Sequence, residues 1–101
     1  MTMPTVDEVK NTIAKFYGAN WLFYVIKQGG WQRHHLGPRG GISTHIDIED
    51  MTISVNQPNG DIWVIIEQAQ QGPLELQVKT TEDLAAVTGL LKSYAMARYQ
   101  K

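Results

Sequence analysis

The chain contains no cysteine. That excludes a disulfide framework and a zinc-ribbon cluster. It also lacks any unbroken run of about 18 apolar residues, so no membrane-spanning helix is expected. No basic-then-apolar pattern opens it. Asp7 and Glu8 stand there instead, so no signal peptide is expected and a cytoplasmic location is. Charge of one sign is missing too: nine Lys and Arg against ten Asp and Glu leave −1. With 43% hydrophobic residues, that balance excludes disorder. A length of 101 residues excludes a TIM barrel or a two-domain enzyme, so residues 1–101 form one domain. Internal repeats, low-complexity tracts and linkers are absent.

What is present reads as an α+β domain. Residues 5–17 carry Val6, Val9, Ile13 and Phe16 at three- and four-residue steps, which predicts a helix. Thr5 serves as its N-cap, Glu8 completes a capping box, and Gly18 suits the helix end. The period then changes to two. Strands are expected over about 20–28, 31–36, 42–48, 51–57, 61–67 and 73–79. Gly29-Gly30 and Asn59-Gly60 make tight hairpin turns, and 37–41 is a loop. Pro73 sits at a strand start, where a missing N–H is harmless. A second helix covers 81–98, with Glu82 and Asp83 in its first turn. Gly89 inside it either permits close packing or is simply tolerated. The fold expected is a single antiparallel sheet of five or six strands built from hairpins. N- and C-terminal helices pack on one of its faces, α-β(5-6)-α.

Hairpin arithmetic assigns the faces. A two-residue Gly29-Gly30 turn sets Tyr24 against His35, and a 37–41 loop sets Arg33 against His45. In the Asn59-Gly60 hairpin, Val55 opposes Val64 and Ile53 opposes Ile66. One face then holds Trp21, Phe23, Val25, Leu36, Ile42, Ile46 and Ile48 and belongs to the helices. The other collects Tyr24, Ile26, Trp63 and Ile65 with Arg33, His35, His45, Asp47 and Glu67. A solvated face should alternate to polar. This mixture resembles an interface core, so it is expected to meet a partner or to lie under a loop or helix of the same chain.

Catalytic constellations are weak. His35, His45 and Asp47 have ligand chemistry acceptable to zinc but match no metal spacing, so no metal is expected. Ser43, His45 and Asp47 lie at i, i+2, i+4 on one side of a strand, without a strained nucleophile turn or an oxyanion hole. Between Lys27 and Arg39 stand three basic residues, two histidines, Trp31 and no acid. That hairpin suits an acidic surface or a small anion held by Arg39 and loop N–H groups. Three charges are too few for firm nucleic-acid binding. The expected function is therefore a small non-enzymatic binding module of an adaptor, inhibitor or immunity type, with no cofactor. Its partner is another protein or a second copy. The contacts fall on Tyr24, Ile26, Trp63 and Ile65 and on the hairpin residues Trp31, Arg33, His35, Arg39 and His45. The alternative is a small-ligand or nucleotide binder in which Trp31 or Trp63 stacks and Arg33, Arg39 and the histidines meet the anion.

Overall fold

The computed structural model describes residues 3–21, 29–34, 43–48, 51–68 and 71–99. In chain order they form α1 (Val6–Tyr17), β1 (Gln32–His34), β2 (Ser43–Ile48), β3 (Met51–Asn56), β4 (Ile62–Gln68), β5 (Gln71–Val78) and α2 (Thr81–Tyr99). The five strands make one antiparallel sheet in the order β1-β2-β3-β4-β5. The architecture is α-β(5)-α.

Local chemistry starts and stops the helices as the sequence implies. The Thr5 hydroxyl accepts the Glu8 N–H at 3.1 Å, and a Glu8 carboxylate oxygen accepts the Thr5 N–H at 3.1 Å. Both are donors that the first helical turn would otherwise leave unmet. Gly18 ends α1 at φ 57°, ψ −129°, and its N–H donates to the Ala14 carbonyl. A residue with a Cβ is strained there. At α2 the Asp83 carboxylate reaches back to accept the N–H groups of Lys79 (2.8 Å) and Thr80 (3.0 Å).

The core lies between the helices and one sheet face. Val9 and Ile13 from α1 and Val87 and Leu91 from α2 pack on Ile46, Ile53, Val55, Val64, Ile66 and Val78. Register explains why these residues and not their neighbours are inside. Ile46 opposes Ile53, Ile53 opposes Ile66, and Val55 opposes Val64. Opposed residues share a face, so branched side chains align in rows that the helices cover. Each is buried by a hydrophobic gain of roughly 1.5–3 kcal/mol. The pairs expected across the Asn59-Gly60 turn are those observed.

Three expectations change. Arg33 opposes Thr44 rather than His45, because His34 pairs with Ser43 and the connection between them spans 35–42. A one-residue slip moves a side chain to the opposite face. Arg33 therefore stands in the row of Thr44, Val55 and Val64, on the helix side. The last strand begins at Gln71, so Pro73 lies within it. An edge position tolerates this, since the missing N–H need not serve a neighbour. Asn20 and Trp21 have helical backbone, while the rest of the 20–28 strand expectation lies outside the described residues.

Burial decides between the two expectations for the face away from the helices. It was expected either to meet a partner or to lie under a loop or helix of the same chain, and Ile65 is only 1% exposed there. Ser43, Ser54 and Asn56 on the same face are buried as well. The chain itself covers the centre of this face. The alternation of residue types shows which side chains favour burial but not what buries them.

Two outcomes follow for stability. A Cβ added at Gly89 would meet no atom within 4 Å. Gly89→Ala should therefore raise the unfolding free energy by about 0.5–1 kcal/mol in chemical denaturation, through helix propensity alone. The Asp83 carboxyl is held below its usual range, first by the Lys79 N–H and then by the Thr80 N–H. Its contribution is complete above the unfolded carboxylate value near ~4 and is lost as pH falls through the lower folded value. Asp83→Asn should flatten the acid limb of the stability–pH curve and leave its slope above pH ~6 unchanged.

Candidate functional site

The side chains with the strongest binding chemistry meet where α1 passes β1. Lys10, Ala14 and Tyr17 recur at four- and three-residue steps, so they share one face of α1. After Gly18 the chain curls, and the Trp21 N–H donates to the Gly18 carbonyl at 3.0 Å. That places Trp21 against Tyr17, the rings stacked with centroids 6.2 Å apart and an interplanar angle of 22°. Phe16 meets Tyr17 edge-on at 5.0 Å. Trp31, just ahead of β1, leans on Trp21 at 5.8 Å and 46°. All four rings are half-buried and border the core.

Charge is added to this platform from two elements. The Lys10 ammonium sits 5.3 Å from the centroid of Trp31, a cation–π contact. Arg33 is exposed and stands two residues beyond Trp31 on the helix-side row. The Lys10 pKa is lowered, chiefly by burial. Asp7, one helical turn earlier, works against that shift, and the positive charge of Arg33 adds to it. Among the described residues no ion pair joins Lys10 or Arg33 to an acid.

The residues picked from sequence do not converge. Trp31 and Arg33 lie at this corner. His45, Trp63 and Ile65 lie on the opposite face, where His45 opposes Ser54 and Ser54 opposes Ile65. Trp63 and His45 are half-buried. Tyr24, Ile26, His35 and Arg39 fall outside the described residues. Sequence reading missed Lys10 and Tyr17 and gave Trp21 to a strand. The available signal was the i, i+4, i+7 spacing of Lys10, Ala14 and Tyr17 beside the apolar stripe of α1.

The strand β2 array offers no nucleophile. Ser43, His45 and Asp47 do share a face of β2, with neither a strained turn nor a helix N-terminus at Ser43 to activate it. Asp47 accepts the Thr52 hydroxyl at 2.7 Å. Among the described residues no three His, Asp or Glu side chains are grouped as metal ligands. No described helix is long and apolar enough to cross a membrane. No family model, curated protein or solved structure matches this chain.

The Lys10–Trp31 contact should be measurable. A double-mutant cycle with Lys10→Ala and Trp31→Leu is expected to give a coupling of about 0.5–1 kcal/mol in thermal or chemical unfolding. Coupling within error of zero would show that the ammonium only rests near the ring.

Proposed function

We propose that this chain is a small non-enzymatic binding module that engages another protein through the α1–β1 corner. The observation that carries the reading is the cluster of Phe16, Tyr17, Trp21 and Trp31, four of the nine aromatic residues, gathered half-buried at one place. Tyr, Trp and Arg are the residues that anchor protein interfaces. Rigid rings give large contact area at little entropy cost, because each has only two side-chain torsions to fix. The buried centre of the opposite sheet face leaves that surface less suited to the task.

The nucleotide-binding alternative is weakened by the same geometry. It takes Trp31 or Trp63 as the stacking surface. Lys10 sits over the Trp31 ring and Trp21 leans against it, which leaves less of that ring for a base.

A photo-crosslinking amino acid in place of Tyr17, compared with one at the exposed Glu67 on the opposite face, tests the reading in the native host. A discrete adduct is expected at position 17 and not at 67. An adduct of twice the chain mass identifies a second copy, and any other mass identifies a different protein. Equal labelling at both positions, or none at 17, would remove the corner as a contact surface.

A further inference from the structure

We infer that the α1–β1 corner takes an acidic segment of a partner protein, with carboxylates meeting Lys10 and Arg33 beside the aromatic cluster. This rests on the corner being a protein contact, and it names the chemistry of the occupant. Lys10 lies over Trp31, the exposed Arg33 stands two residues further along on the helix-side row, and no described acid forms an ion pair with either. In the chain alone this arrangement is unfavourable. Lys10 loses hydration against Trp31, the like charge of Arg33 adds to that effect, and Asp7 offsets part of it. A carboxylate between the two would relieve both effects at once. The exposed acids Asp47, Glu67 and Glu75 lie across the sheet on the other face, where they cannot reach the corner of their own chain.

An acidic peptide fits better than a nucleic acid. Nucleic-acid binding without sequence preference uses open aromatic faces and a run of several cations along the backbone. Here the described corner has two cations, and Lys10 already occupies Trp31. A protein segment asks less of it. Side-chain carboxylates reach the two charges while apolar neighbours rest on Tyr17 and Trp21.

The test uses the full chain and a labelled peptide of about ten glutamates at low salt (about 50 mM), with tryptophan emission and anisotropy as readouts. An oligo-dT of equal charge and an oligolysine serve as comparison probes. Saturable binding of the glutamate peptide is expected, with no response to oligolysine. Arg33→Gln, at an exposed position, should weaken binding roughly two- to fivefold, and adding Lys10→Gln should bring the loss to roughly tenfold. Circular dichroism confirms that both variants are folded. The inference falls if the peptide does not bind, if neither substitution weakens it, or if oligo-dT binds more tightly. A crosslink at position 17 that persists unchanged in the Lys10→Gln/Arg33→Gln variant would overturn the acidic class and leave the protein contact standing. Loss of that crosslink in the double variant supports both.

Discussion

Everything else in this fold depends on the pairing register of the three central strands. Ile46, Ile53 and Ile66 oppose one another in sequence, and Val55 and Val64 do the same one row away. Those rows provide the floor on which Val9, Ile13, Val87 and Leu91 of the helices settle. A slip of one residue in β3 would present Ser54 and Thr52 to the helices and turn the isoleucines outward. The burial difference between those arrangements, at roughly 25 cal/mol per Å², is far larger than any propensity term in the chain. The helices are placed by the sheet and reinforced by their caps.

That dependence explains which parts were legible beforehand. The capping box of Thr5 and Glu8 and the helix end at Gly18 are local and rest on residue types within one turn. The Asn59-Gly60 hairpin is equally local, and its turn length fixes the β3–β4 register, so Val55 and Val64 could be paired in advance. The β1–β2 connection has no such constraint. Its Gly-Pro-Arg-Gly-Gly composition announces a loop without setting the loop's length. The register from that side was therefore off by one, and Arg33 was assigned to the wrong face. The helical backbone at Asn20 and Trp21 has a similar cause. Aromatic and branched residues favour strands only on average, and here the hydrogen bond from Trp21 to Gly18 prolongs the turn that closes α1.

The face away from the helices is built differently. Its buried positions are Ser43, Ser54, Asn56 and Ile65, where the helix side is almost wholly Ile and Val. Small polar side chains at the centre of a sheet contribute little hydrophobic burial, and they require hydrogen-bond partners when covered. They also leave room for close approach of whatever covers the sheet. The polar residues at the margin are accommodated by solvent and by each other, as Thr52 and Asp47 show. The 43% apolar content is divided unequally between the two faces.

The α1–β1 corner fits neither scheme. Lys10, partly desolvated against Trp31, has both an acid and a like charge acting on it. Burial acts on it most, then Asp7, then Arg33, and the net effect lowers its pKa. Local choices that work against the fold concentrate where a protein meets something else. The aromatic rings point the same way. Rings needed only for packing would sit inside the helix–sheet layer with Ile13 and Val87, yet Tyr17, Trp21 and Trp31 remain half-buried at its margin. Each feature alone has an ordinary structural explanation: a snorkelling lysine, an edge arginine, or an aromatic border to a small core. Their coincidence on the one stretch where α1 and β1 meet is what those separate explanations do not supply, and it is the ground on which the proposed acidic contact rests.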